Sequence, residues 1–347
     1  MSTPRTGAVF AQTNDAAANA VVAFARAEDG TLSRTDSYPT GGLGNGVPHL
    51  PSQGSVVLAA GGTRLLVANA GSNDVSVFAL SGDGLALVDR TPSGGTTPRS
   101  IAAHGDLVYV LNAGGDGPGA ISGFRQQNGR LEPIAGSERR LSSEDADGAQ
   151  VAFDPSGRTL VVTERGTDRI STYTVREDGS LDGPTARPSS GATPYGFDFT
   201  ADGVLVVTEA FGGQVGAAAA SSYRVDGTSG AEPVSASVGN TRSEVCWAVV
   251  GKDGRHAYVT NFGDGTISSY SISPDGAIEL LEPVAATTRL GQKGIRDAAL
   301  SADGSFLYAL DADSQEVYAW LVGAEGKLAP VGAANGLPET VAGLAAL

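Results

Sequence analysis

Reactive and metal-binding side chains are scarce in this 347-residue chain, which has one cysteine, Cys246, three histidines, one methionine and two tryptophans. A single cysteine excludes an intrachain disulfide and fits a reducing compartment. There is no C-x-x-C pair, H-E-x-x-H helix, G-x-S-x-G elbow, P-loop or EF-hand loop. Zinc-protease, hydrolase-elbow and nucleotide-triphosphatase readings therefore lose their main support. No run of about 18 apolar residues occurs and the opening MSTPRTGAVF lacks an apolar signal core, so a cytoplasmic protein is the default expectation. Positive charge is also short: 23 Lys and Arg face 38 Asp and Glu, a formal net charge of -15. That balance disfavours nucleic acid and anionic membranes as partners. The acidic loop SSEDADG (142–148) offers oxygen ligands but reads as a solvated charge cluster, so neither a metal nor a cofactor is expected.

Glycine is plentiful, with 49 residues, and one segment recurs along the whole chain: a strand ending in a polar residue, a short loop, then a second alternating strand. RLLVANAGSNDVSVFAL (64–80), RTLVVTERGTDRISTYTV (158–175) and RHAYVTNFGDGTISSYSI (255–272) are three of seven copies. Each copy is flanked by Gly-containing hairpins such as FDPSGRTL (153–160) before it and EDGSL (177–181) after it. Asp-Gly and Asn-Gly supply the positive φ of tight hairpins, so each unit reads as four antiparallel strands. Such a sheet cannot bury both faces until others pack beside it, which predicts an all-β, seven-bladed β-propeller. The first unit starts at its second strand, whereas the chain finishes with VAGLAAL (341–347), which resembles the innermost strands SVVLAA (55–60) and RDAALSA (296–302). The C-terminal strand is thus expected to complete blade 1 and close a single domain over residues 1–347, protecting the ring's edges.

If strands alternate in direction, the connections between blades share one face with the loops between second and third strands, and binding residues are expected there. The residues ending the second strands read Asn14, Asn69, Asn112, Glu164, Glu209, Asn261 and Asp311. The asparagines suit turn capping. Glu164 and Glu209 are longer carboxylates that need a cation, a shared proton or solvent, and so are expected to be catalytic. Arg296 and Arg99 stand where connections enter innermost strands, with Arg165 and Lys293 close to the same rim, and an arginine fork there would hold a substrate carboxylate or pair with Glu209. Tyr195, Phe211, Trp247 and Phe262 would wall an apolar pocket, and His49 is the one histidine on this face. His104 and His256 fall in hairpins of the opposite face, while Cys246 has no histidine in its own blade to activate it. The principal pocket is expected on the face that carries Glu209.

DPSGRTLVVTERGTDRISTYTV (154–175), KDGRHAYVTNFGDGTISSYSISPDG (252–276) and IRDAALSADGSFLYALDADSQEVYAW (295–320) resemble the seven-bladed lactonase family, which includes propeller-type 6-phosphogluconolactonase and carboxymuconate-lactonizing enzyme. The resemblance implies a propeller that opens, closes or isomerises a small lactone-type ring, with Arg296 at the family's arginine position before an innermost strand and Glu209 where the family commonly has glutamate. It also implies a histidine beside that arginine and an arginine after the asparagine of a later blade, where this chain has Asp297 and Phe262. Its few rim cations fit a sugar phosphate poorly. The alternative is a propeller that has lost the family site and binds a ligand or protein without turnover.

Overall fold

The computed structural model describes residues 7–347 apart from positions 49, 52, 83 and 116. Seven antiparallel sheets follow one another along the chain, six of them ordered from an innermost to an outermost strand in sequence order. In blade 4, for example, Gly148–Phe153 pairs with Thr159–Glu164, that with Arg169–Val175, and that with Leu181–Pro188. Blade 3 adds the two-residue strand Arg139–Arg140 against its third strand. Blade 1 takes its innermost strand from the C-terminus: Ala342–Ala346 pairs with Gly7–Gln12, with Val9 opposite Ala346 and Ala11 opposite Leu344. The protein is a seven-bladed β-propeller closed by its last strand.

Alternation of apolar residues on both faces of the middle strands gives each blade two sticky surfaces, and seven hydrophobic clusters fill the seven spaces between neighbouring blades. Valine and alanine dominate next to the axis, while Tyr109, Tyr258 and Tyr308 reach outward from second strands to donate to the carbonyls of Gly179, Gly326 and Gly30 in the next blade. Gly30 illustrates why those hairpins need glycine. Its φ is 85°, and a Cβ there would stand 2.2 Å from the Phe306 ring.

The connection entering a blade lies against the loop between that blade's second and third strands. Gly71 N donates to Leu43 O (2.9 Å), Gly166 N to Ala146 O (3.0 Å), Phe211 N to Ala192 O (3.0 Å) and Ala312 N to Gly294 O (3.0 Å). This repeated bond gathers the starts of the innermost strands at one mouth of the central channel.

Candidate active site at the channel mouth

Six innermost strands carry a bulge within their first residues. In blade 1 the extra residue is Gly343, between Ala342 opposite Gln12 and Leu344 opposite Ala11. In blade 3, Pro98 faces Asn112 and Ser100 faces Leu111, so Arg99 is the extra residue. In blade 4 the extra residue is Ala149, between Gly148 opposite Glu164 and Gln150 opposite Thr163. In blades 5, 6 and 7 the pairs Tyr195 and Gly196, Cys246 and Trp247, and Arg296 and Asp297 each occupy the space of one partner residue. A bulge bends its strand and re-aims the side chain that it carries. Threonines of the preceding second strands hold two of these bulges: Thr163 Oγ1 donates to Tyr195 O (2.6 Å), and Thr208 Oγ1 to Cys246 O (2.7 Å).

The re-aimed side chains form one cluster. Tyr195 and Trp247 meet edge to face, 5.6 Å between centroids, packed with Ala149, Cys246 and Phe262. The Arg296 guanidinium lies 4.7 Å from the Phe262 ring centre and 5.6 Å from that of Trp247, and Arg165 lies 5.5 Å from that of Tyr195. Asp147 joins two arginines, with Oδ1 2.9 Å from Arg99 Nη1 and Oδ2 2.7 Å from Arg165 Nε. On the outer rim Lys293 Nζ sits 2.5 Å from Glu244 Oε1 and 5.4 Å from the Phe262 ring centre.

Arg296 is different. It is only 8% exposed, yet no carboxylate lies within ion-pair distance of it among the described residues. Its one hydrogen bond runs from Nη1 to Leu50 O at 3.5 Å, and its buried Nε has no partner among the described residues. Burial pushes its pKa down from the usual arginine value, against the pull of the Cys246 thiol, Tyr195, Asp313 and Asp297. Burial likewise lowers Arg99, while Asp147 raises it. The Tyr195 hydroxyl and the Cys246 thiol are both pushed up to about 12 by burial, so Cys246 is a packing residue at neutral pH.

The two glutamates expected to be catalytic are elsewhere. Glu164 accepts from the Ser142 amide (3.0 Å) and hydroxyl, Ser171 Oγ (2.7 Å) and Thr167 Oγ1 (3.2 Å). Glu209 accepts from Gly191 N (2.8 Å), Ser221 Oγ (2.6 Å), Ser237 Oγ (2.7 Å), Tyr223 Oη (3.3 Å) and Ser189 Oγ (3.4 Å). Both are fully buried, and neither forms an ion pair with an arginine among the described residues, although Glu164 stands opposite Arg169 in the strand register. They occupy the position that Asn69, Asn112 and Asn261 fill in other blades, where each asparagine bonds a serine further along the third strand. Blade 1 departs from the series: its second strand ends at Gln12, and Asn14 lies beyond it, bonded to Asn45.

Arg99, Arg296, Tyr195, Trp247 and Phe262 are thus brought together, whereas Glu164, Glu209 and Phe211 are not. Phe211 lies against Gly191 on the blade 5 rim. His49 falls outside the described residues. Sequence reasoning missed Asp147, whose signal is an acidic residue immediately before the glycine that opens an innermost strand. It also missed Gln53, whose side chain crosses the channel from the blade 2 connection to blade 6, donating to Ala248 O (2.9 Å) and accepting from Ala248 N (3.3 Å). Cavities among the described residues lie below the mouth in the channel and between the outer parts of blades 1 and 2 and of blades 6 and 7.

Among solved structures, a protein of Bacteroides fragilis described as a candidate 6-phosphogluconolactonase superposes with a TM-score of 0.72 at 18% identity, covering 100% of this chain and 99% of that one. The periplasmic gluconolactonase of Pseudomonas aeruginosa gives 0.71 at 16% identity, with 98% and 99% covered. Virginiamycin B lyase from Staphylococcus aureus gives 0.58 at 14% identity, with 83% and 85% covered. At these identities the likeness is one of fold. No curated protein matches the chain. A family model does match, over residues 17–139, 118–231 and 208–337, and the chain belongs to the family that it describes, lactonase, 7-bladed β-propeller.

Proposed function

We propose that the channel mouth binds a small ring compound of the lactone type bearing a carboxylate, and opens or closes that ring. The buried Arg296 guanidinium, which has no carboxylate partner among the described residues, carries this reading. A buried cation without a counter-charge is costly, and an anionic ligand group seated against it removes that cost. The flanking rings of Trp247 and Phe262 favour a flat, weakly polar substrate body. In ring opening, water attacks the lactone carbonyl carbon, the bond to the ring oxygen breaks and the released oxygen takes a proton. Arg99 and Arg165 stabilise the oxyanion, Asp147 between them takes the proton of the attacking water, and Tyr195, with its raised pKa, acts as the acid. A dianionic sugar phosphate is a poor fit, because Arg296 is the one rim cation without a carboxylate partner among the described residues.

One observation favours a second reading, binding without turnover: Glu209, which stands where the family commonly has glutamate, is saturated by hydroxyl and amide donors. A panel of carboxylated and neutral lactones, with the corresponding hydroxy acids, separates the readings when hydrolysis and binding are both followed. Hydrolysis of carboxylated members, with affinity lost by about a hundredfold or more in Arg296→Met, is the expected result, on the scale of removing a charged partner from a buried pair. Binding without turnover selects the second reading. Neutral lactones binding as tightly as carboxylated ones would overturn both.

A further inference from the structure

Gln53 divides the central channel. Above it lies the arginine-rich mouth. Below it a cavity of about 500 Å3 runs between the innermost strands to the opposite face. Its walls are polar and apolar in about equal measure, with Val57, Val151, Val249 and Leu300 among the apolar residues, and Phe153 and Phe199 stand at its outer end.

The polar side chains of these strands are nearly all used to tie one blade to the next. Ser100 Oγ accepts from Val151 N (3.1 Å), and Gln150 exchanges two bonds with the Phe197 backbone. Asp198 accepts from Val250 N through Oδ2 and from Phe199 N through Oδ1. Asp297 follows the pattern only halfway. It accepts from the amides of Leu344 and Ala298, but its Oδ2 is buried with no partner among the described residues. It is one of the residues lining the cavity and is only 2% exposed.

We propose that this lower compartment is a second binding site, for a small organic cation whose ammonium group pairs with Asp297. The remaining charged or titratable groups lining it are Asp154, Asp198, Lys252 and His104, and Arg296 adjoins Asp297 from the mouth side. Two carboxylates besides Asp297 against one lysine keep the compartment acidic, opposite in sign to the mouth. Burial pushes the Asp297 carboxyl well above the ordinary carboxylate range. An ammonium ion within hydrogen-bond reach would restore its charged form. Metal ions fit less well: no group of three metal-ligating side chains occurs among the described residues, and Asp198 already spends both oxygens on backbone amides. An organic ammonium needs only one carboxylate oxygen and gains from apolar side chains and ring faces.

Calorimetric titration of the full chain with benzylammonium, and with benzyl alcohol as its uncharged counterpart, tests the assignment. The expected result is one-to-one binding of benzylammonium that weakens at least about tenfold in Asp297→Asn, the scale of a lost charge-assisted bond, with no binding of the alcohol. Arg296→Met, which removes the cation of the mouth, should leave benzylammonium binding in place. Should Asp297→Asn fail to fold, Ala299→Phe, which fills the cavity from the same strand, is expected to abolish binding. Absence of binding to the unaltered protein, equal affinity in the variants that alter the cavity, or equal binding of the alcohol would each overturn the proposal.

Discussion

A carboxylate at the end of a second strand is structural or catalytic according to what stands on the neighbouring strand, and here serines decide it. Asn69 finds Ser76, Asn261 finds Ser268, Glu164 finds Ser171 and Glu209 finds Ser221, and the longer side chains recruit Ser142 and Ser237 as well. Glu209→Gln is therefore expected to cost about 1.5–3 kcal/mol in stability, the value of hydrogen bonds to a charged acceptor, while ligand affinity at the mouth stays unchanged. Chemical denaturation alongside a binding titration checks both halves. The sequence displays the glutamates but not their donors, because Ser142 and Ser237 lie 22 residues before Glu164 and 28 after Glu209. Arg296 was legible as a site residue from its place before an innermost strand. Its lack of a counter-ion was not, since the expected partner Glu209 faces away into its own blade. Asp297 gives a pH signature. Its folded-state pKa is raised above the unfolded value near 4, so its contribution is complete below about pH 4 and is lost as pH rises toward the folded value. Asn at this position stays neutral throughout. The melting temperature of Asp297→Asn relative to the unaltered protein should thus climb as pH goes from 4 to 8; a flat difference would mean that the carboxyl is not held neutral.

At the scale of elements, every blade ends in a strand that carries proline: Pro39, Pro92, Pro133, Pro188, Pro233, Pro283 and Pro330. An outermost strand exposes a row of unpaired backbone groups, and proline removes a donor from that row, so these residues guard seven open edges. Replacing Pro133, Pro233 and Pro283 together by threonine is expected to leave melting within a few degrees of the unaltered protein yet promote self-association, measurable by light scattering against concentration. A monomer at all concentrations would show that other features protect the edges. The blades were legible because Asp-Gly and Asn-Gly hairpins punctuate alternating runs, and the turn chemistry is local. The bulges were not. A bulge is a mismatch of count between two strands, and TPRSIAA or TPYGFDF reads as ordinary strand until its partner's register is known. The bulges, pinned by Thr163 and Thr208, nonetheless decide which side chains reach the mouth.

Over the whole molecule, charge is distributed against the site. The chain carries a formal net charge of -15, yet Arg99, Arg165, Arg296 and Lys293 gather at one mouth, with Asp147 and Glu244 compensating three of the four. An approaching carboxylate meets repulsion from the whole surface first and attraction from Arg296 only in the last few ångströms. The two act over different ranges. The Debye length falls from about 30 Å at 0.01 M salt to about 8 Å at 0.15 M, so added salt screens the distant charges well before it weakens a buried contact. The association rate of a carboxylate that binds at the mouth should therefore rise between these salt concentrations, while its dissociation rate changes less. That is opposite to the fall expected when a ligand is steered by an opposite net charge. Stopped-flow measurement across the range decides the matter: a falling association rate would show that the local arginine field, rather than the acidic surface, governs the encounter.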